Sequence, residues 1–466
     1  MTSAKTNSTS QEPLASELAL AIGSECVLIG DDIPDRAMSD ESRSGRNKPG
    51  ILLRPRTSEA VSEALRICAR HGRTVVPQGG MTGLAGGACP RAQDVALSLD
   101  AFSGVENIDP VSMTMTVRAG TILQDAQKAA EDCGLMLPID LGARGSCQIG
   151  GVVATNAGGI RVLRYGMTRE NLLGLEVVLA DGTIISDLGG MIKNDTGYDI
   201  AKLFAGSEGT LGIITRAVIR LRPLPMARQT ALCALSGFDD VMQLLHHARQ
   251  DLPGLSAFEL MWGDYFDLLQ DLEGVLMKPA PVFAVIIESE TMNRETGDAD
   301  FEAFLARMFD ENILADALVA QSSRESARFW AVREGDKIYE AMPHLINLDI
   351  SISLNQMEQF VTECKQAITA RFRNVRALFY GHAGDGNLHI ALDIPDSGDS
   401  QLIHDVETCI YDKVREMHGS ISAEHGIGTL KRDYLSYSRS PSEIALMRQI
   451  KQALDPSGIM NPGKVL

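Results

Sequence analysis

Glycine concentrates at four places in this chain: Gln78-Gly79-Gly80-Met81-Thr82-Gly83-Leu84, Gly145-Ser146-Cys147-Gln148-Ile149-Gly150-Gly151, Thr155-Asn156-Ala157-Gly158-Gly159 and Gly206-Ser207-Glu208-Gly209-Thr210-Leu211-Gly212. A residue without a Cβ lets backbone N–H groups approach a pyrophosphate that any side chain would hold away. One such cluster is more often a tight turn. Four of them between Gln78 and Gly212 point instead to a large phosphate-bearing cofactor. No Gly-x-Gly-x-x-Gly follows a strand and no Walker sequence occurs, so neither a Rossmann fingerprint nor a P-loop holds it.

The second chemical signal is Leu378-Phe379-Tyr380-Gly381-His382-Ala383-Gly384-Asp385-Gly386-Asn387-Leu388-His389-Ile390. A two-residue turn at Asp385-Gly386 would set Gly384 opposite Asn387, Ala383 opposite Leu388 and His382 opposite His389. Directly opposed rings share a face, with Cβ atoms about 5 Å apart, close enough to ligate one ion. A third ligand must come from elsewhere. Glu424, in Ile421-Ser422-Ala423-Glu424-His425-Gly426-Ile427-Gly428, is the natural candidate, and it would hold His425 at the metal's edge. A lone histidine is more often a structural side chain, and His71, His246, His247, His344, His404 and His418 read that way.

These residues need elements to position them. From Ile51 the pattern is βαβ: strand Ile51-Leu52-Leu53, a helix capped by Thr57 with Val61, Ala64, Leu65 and Cys68 on one face and Gly72 ending it, then strand Thr74-Val75-Val76. A second unit follows, with strand residues up to Ala119, a helix capped by Thr121 and closed by Gly134, and the run Leu135-Met136-Leu137. Two such units imply an α/β domain. Leu172 to Ser186 reads as a hairpin turning at Asp181-Gly182, and Leu221-Arg222-Pro223-Leu224-Pro225 breaks the pattern at a domain boundary. Beyond it, strands such as Val282 to Ile287 alternate with helical stretches in a second, α+β domain, and Lys431 to Leu466 is mostly helical. Met1 to about Pro13, rich in Ser, Thr and Asn, reads as a frayed tail.

Composition narrows the function classes. The 466 residues carry 43 basic and 61 acidic side chains, a net charge of −18, with few aromatics and no basic stripe, so a nucleic-acid partner is excluded by repulsion. No apolar run is long enough for a membrane span. Eight cysteines without Cys-x-x-Cys spacing indicate neither a cluster nor a disulfide framework, and a reducing, cytoplasmic setting is expected.

The ordered motifs Pro77-Gln78-Gly79-Gly80-x-Thr82-Gly83, Ser146-x-x-Ile149-Gly150-Gly151, Thr155-Asn156-Ala157-Gly158-Gly159 and Gly206 to Thr215 resemble the FAD-binding domain of the vanillyl-alcohol oxidase superfamily. More closely, the chain from about residue 50 to 466 resembles the D-2-hydroxy-acid dehydrogenases, among them D-2-hydroxyglutarate dehydrogenase, D-lactate dehydrogenase and the glycolate oxidase flavoprotein subunit. The resemblance implies an α+β architecture: a tail and lead-in helix (1–48), a two-subdomain FAD-binding domain (49–225), an α+β substrate and metal cap domain (226–420) and a C-terminal segment (421–466) returning to the FAD domain. It implies that Pro77, Gln78, Gly79, Gly80, Met81, Thr82, Gly83 and Leu84 cradle the FAD pyrophosphate. Pro138, Gly145, Ser146, Ile149, Gly150, Gly151, Thr155, Asn156, Gly158, Gly159, Glu208, Gly209, Ile213 and Ile214 would line the ribityl chain and flavin, with Asn461 on the returning segment. The first glycine loop has no histidine for covalent attachment, so the FAD is expected to be non-covalent.

The resemblance further implies a divalent metal, zinc or manganese, on His382, His389 and Glu424, with His425 as the base and Asn387 as a second substrate contact. Arg333, in Phe329-Trp330-Ala331-Val332-Arg333-Glu334, would pair with the substrate carboxylate through its planar fork; a surface salt bridge to Glu334 or Glu340 is the alternative. A small 2-hydroxy acid would then lose a proton to His425 and hydride to flavin N5, giving a 2-oxo acid. Electrons would pass on to an acceptor protein or a quinone, and a homodimer is a candidate assembly. Three departures stand out: Asn347 replaces a lysine expected before Asp349-Ile350-Ser351, and Met81 and Val152 replace asparagines. Ile350-Ser351 and Pro138-Ile139-Asp140-Leu141-Gly142 nevertheless look most like the hydroxyglutarate branch. D-lactate dehydrogenase or a glycolate oxidase subunit, a non-redox alkyl-glycerone-phosphate synthase-like flavoprotein and a silent subunit are the alternatives.

Overall fold

A computed structural model describes residues 8–395 and 398–466. The chain divides into two compact units, one within Met1–Gly158, Met167–Pro223 and Glu424–Leu466, the other formed by Gly159–Gly166 and Leu224–Ala423. The expected frayed tail lies partly outside the described residues. From Ser8 to Ile22 the chain is helical with Pro13 inside the helix, because Leu14 and Leu18, one turn apart, are buried in the core of the first unit.

That unit holds two main sheets. The first has the order Val27–Ile29, Ile51–Leu53, Val95–Ser98, Val75–Gln78; its last three strands run parallel. The helix Ser58–Arg70 begins where expected: Thr57 Oγ1 accepts the N–H of Ala60 at 3.1 Å, and Val61, Ala64, Leu65 and Cys68 are buried. Gly72, at φ +58°, follows its end. The second sheet departs from the α/β expectation. It is antiparallel, in the order Val105–Asp109, Thr114–Arg118, Ile213–Arg220, Leu172–Val178, Ile184–Asp187. Alternate burial along Thr114–Arg118 suits such a half-covered sheet better than a parallel one. The helix Leu123–Glu131 starts beyond Thr121, whose hydroxyl instead accepts from Gly104 N–H at 2.8 Å, and Leu135–Met136 pairs with Arg222–Pro223 rather than joining that sheet. The last helix, Pro441–Leu454, carries a Ser440/Glu443 capping box, after which Asn461 N–H donates to Val75 O at 2.8 Å.

The second unit is built on one seven-stranded sheet in the order Asp316–Val319, Ala227–Leu235, Phe283–Thr291, Leu255–Trp262, Arg376–Gly381, Asn387–Asp393, Leu345–Ser351, antiparallel at every pair. Leu232, Met261, Ile286 and Leu378 pack with Phe266 and Leu269 of the helix Gly263–Glu273 and with Phe329 and Val332 of the helix Ser323–Glu334. The excursion Gly159–Gly166, expected with the FAD domain, belongs here because its buried Arg161 pairs with Glu288 and, at 3.3 Å, with Glu290. Tyr165 Oη donates to Glu290 Oε2 at 2.6 Å. The eight cysteines are unpaired, and among the described residues no helix is long and apolar enough to cross a membrane.

Candidate active site

In the first unit a cavity is lined by Pro77, Gln78, Gly79, Gly80, Met81, Thr82, Gly83 and Leu84 from the first cluster, by Gly150, Gly151 and Thr155, and by Glu208, Gly209, Ile213 and Ile214. Glu424 and His425 line it too. Among the described residues, no protein acceptor takes the N–H of any residue from Gly79 to Leu84. Buried or half-buried backbone donors require partners, so this loop presents a row of amides to whatever occupies the cavity. A Cβ added to Gly151 would meet no protein atom within 4 Å, which leaves that backbone open to close approach. Gly80 is glycine for a different reason: its Cβ would collide with the carbonyl of Ser146. Gln148, absent from the expected set, lines the cavity with a buried Oε1 that accepts no hydrogen bond among the described residues. Free amides, an open glycine and an orphaned acceptor fit a large polar cofactor with both phosphate and N–H groups, as FAD is.

The remaining expected cofactor residues are not in the lining of this cavity. Ile149 is fully buried in the core, and Pro138 and Gly158 are buried outside the cavity lining. Gly145 and Ser146 are exposed. Asn156, at φ +51°, ends the helix Ile149–Thr155 and accepts Arg169 N–H at 2.8 Å. Gly159 lies in the second unit. Asn461 donates through Nδ2 to Gly87 O at 3.0 Å, just beyond the first glycine cluster, and to Glu208 O at 2.7 Å in the fourth, and so ties the C-terminal segment to both stretches.

The histidine pair sits in the second unit, in a register the sequence did not anticipate. Tyr380, not His382, stands opposite His389. Residues 382–386 form a five-residue connection of successive turns, Asp385 N–H to His382 O at 3.1 Å and Gly386 N–H to Ala383 O at 3.4 Å. The wider loop has a tertiary cause: Gly384 N–H donates to Phe258 O on the neighbouring strand, and Arg249 Nη2 donates to Gly384 O at 2.5 Å. The shift is two residues, and side chains alternate with period two, so His382 stays on the face of Tyr380 and His389. Their rings end 5.1 Å apart, centroid to centroid, and both are buried.

Three residues that local sequence did not reveal organise this face. Glu259, fully buried on the strand Leu255–Trp262, approaches His382 Nδ1 with Oε1 at 2.8 Å and accepts from Arg333 Nε with Oε2 at 2.7 Å. Burial works against the Glu259 carboxylate, but the charges of His382 and Arg333 outweigh it and hold its carboxyl below the ordinary range. An ionised carboxylate only accepts, so His382 donates to it from Nδ1, which fixes the orientation of the ring. Tyr380 stacks on Tyr265 with centroids 4.2 Å apart and lies 4.7 Å beneath the Arg333 guanidinium. Asp349 is directly opposite His389, and its Oδ2 accepts Ala423 N–H at 2.8 Å; Glu424 is the next residue of the chain. Arg333 is therefore no surface salt bridge. It is buried, and its Nη1 takes part in neither contact with Glu259 nor with His382. Asn387 Oδ1 is buried and accepts no hydrogen bond among the described residues.

Comparison with known proteins identifies the family. Residues 224–465 match the family described as FAD linked oxidases, C-terminal domain, and residues 49–187 match an FAD binding domain. The chain is 37% identical over 464 residues to a Danio rerio protein named D-2-hydroxyglutarate dehydrogenase, mitochondrial, covering 98% of this chain and 85% of that one. It is 34% identical over 463 residues to a Stutzerimonas stutzeri protein named D-2-hydroxyglutarate dehydrogenase, covering 97% and 98%. Among solved structures, p-cresol methylhydroxylase with substrate bound superposes with a TM-score of 0.78 at 15% identity over 98% of this chain and 97% of that one, which shows the fold. That fold is the α+β, vanillyl-alcohol oxidase type. With both halves of its length matched, the chain belongs to the FAD-linked oxidases, in the FAD-dependent D-2-hydroxy-acid dehydrogenase family.

Proposed function

We propose that this protein oxidises D-2-hydroxyglutarate to 2-oxoglutarate. The observation that carries the proposal is His425, a titratable side chain lining the same cavity as the free amides of the first glycine loop. FAD held there non-covalently by residues 77–84, Gly150, Gly151 and Gln148 would supply the sink for the two electrons leaving the substrate. His425 takes the proton of the substrate hydroxyl as general base. Arg333 offers Nη1 to the substrate carboxylate, oriented by Glu259 and by the face of Tyr380, and Asn387 offers its unpartnered amide oxygen.

His382, His389 and Glu424 would hold a divalent ion, zinc or manganese, whose chemistry is polarisation of the substrate hydroxyl. Support for the set comes from the converging histidine rings, the Nδ1 proton fixed by Glu259 and the position of Glu424 one residue beyond the anchored Ala423. The chain has no nicotinamide fingerprint or cluster spacing, so we assign reoxidation to an acceptor protein or a quinone. Eight unpaired cysteines support a reducing interior; the notion of a cytoplasmic enzyme stands beside a Danio rerio relative named mitochondrial.

Anaerobic incubation with D-2-hydroxyglutarate tests the reaction. Expected is one 2-oxoglutarate per bound flavin and none from the L-enantiomer; equal product from both enantiomers, or none from either, contradicts it. Asn347, on the edge strand Leu345–Ser351 and exposed, favours a second reading in which the substrate lacks a distal acid group, as D-lactate does.

A further inference from the structure

Glu208 belongs to the fourth glycine cluster and lines the cavity, yet both of its carboxylate oxygens are bonded to the chain itself. Oε1 accepts the N–H of Ile427 at 2.7 Å and Oε2 accepts the N–H of Gly428 at 2.8 Å. The carboxylate thus forks onto two successive amides of the loop that opens with Glu424-His425. Reaching them demands an unusual backbone: Glu208 stands at φ +52°, a region that non-glycine residues rarely occupy and that persists only where surrounding structure enforces it. Gly426, at φ +82°, clears the way, since a Cβ there would lie 2.9 Å from Glu208 Oε1.

Anchoring the loop to the unit does not need this acid. Ala85 O already accepts the N–H groups of Thr429 at 2.9 Å and Leu430 at 3.2 Å, and Gly428 O accepts Val465 N–H at 2.9 Å. Burial raises the Glu208 carboxyl above its ordinary range, opposed by the two amides and by Lys431, so an acid here is a cost to folding. The bonds it makes fall on the His425 side of the loop.

We infer that Glu208 is a positioning residue: its fork fixes Ile427 and Gly428 and, through Gly426, sets how His425 presents its ring, while the proton transfer remains with His425. This rests on the assignment of His425 as the base. A glutamine keeps the volume but turns an NH2 toward one of the two N–H donors, so one bond is lost and two donors face each other.

The test compares Glu208→Gln, Glu208→Asp and His425→Gln holoenzymes, reduced anaerobically by the D-2-hydroxy acid that bleaches the wild-type flavin fastest. In Glu208→Gln the flavin-reduction rate constant should fall about 10- to 100-fold with the half-saturating substrate concentration within about 2-fold of wild type, the pattern of a misaligned group rather than lost binding. FAD content should be unchanged, and the melting temperature of the FAD-free protein should stay within about 5 °C of wild type. Amide exchange across residues 424–430 of the FAD-free protein should accelerate, and Glu208→Asp, which keeps the charge on a shorter stem, should recover part of the rate. A wild-type rate in Glu208→Gln beside a slow His425→Gln overturns the positioning role. So does a loss in which rate, substrate affinity, FAD content and melting fall together. A wild-type rate in His425→Gln removes the base assignment itself, and the positioning role with it.

Discussion

Glu259 serves two partners at once, Arg333 through Oε2 and His382 through Oε1, from a position that water does not reach. Removing it leaves a buried guanidinium unpaired. Glu259→Ala is therefore expected to cost about 3–5 kcal/mol of stability, read from thermal or denaturant unfolding. Glu259→Gln keeps the volume but no longer fixes the proton on Nδ1, and metal affinity, titrated into metal-free protein, should weaken about 10- to 100-fold. The pH dependence has a definite sign. The folded carboxyl lies below its ordinary value of 4.5, so the stability contributed is full above that value and is lost as pH falls through the lower folded one. Wild type should consequently lose more stability as pH falls below 4.5 than Glu259→Gln does; equal acid sensitivity would contradict the ionised pairing. Glu259 was not legible from local pattern, because its partners lie 74 and 123 residues away. The available signal was one acid inside the apolar run Ala257-Phe258-Glu259-Leu260-Met261, since buried charges are paired.

The hairpin shows what an element's sequence can and cannot settle. That two histidines share a face was readable from the spacing, and it survived because the register differs by an even number of residues. The loop length was not readable, since the bonds that widen it come from Phe258 and Arg249, more than a hundred residues upstream. Gly381 sits at the start of that loop, where a Cβ would collide with the carbonyl of Asn387. Gly381→Ala should separate the two strands at that point and lower metal stoichiometry while leaving FAD content intact; unchanged metal binding would show that the pair tolerates a looser hairpin. In the first glycine loop, Met81 occupies φ +60°, where asparagine is far more at ease. Met81→Asn is expected to raise stability by about 1 kcal/mol, measured by unfolding of the FAD-free protein. The capped helix Ser58–Arg70 was legible to the residue, because its cap, apolar stripe and terminating glycine are all local. The antiparallel second sheet was not, because strand direction depends on partners that sequence periodicity does not identify.

On the scale of the whole molecule, the glycine clusters, apart from Gly159, and the histidine hairpin belong to different compact units, and the chain returns from the second to the first between Ala423 and Glu424. The candidate ligand Glu424 and the candidate base His425 are thus the first residues of the returning segment, joined directly to the strand-bound Ala423. If the proposed ion is held chiefly by the histidine pair and the flavin by the glycine loops, chelation is expected to remove the ion and leave the flavin bound. The measurement that tests the central claim most directly is anaerobic flavin bleaching by D-2-hydroxyglutarate, in enzyme as purified, after chelation, and after one equivalent of zinc or manganese is restored. Expected is bleaching in the first state, its loss with full FAD content in the second and its return in the third. Undiminished bleaching by fully metal-free enzyme would contradict a role for the His382, His389 and Glu424 site in the oxidation, and a flavin that no D-2-hydroxy acid bleaches in any state would contradict the oxidation itself.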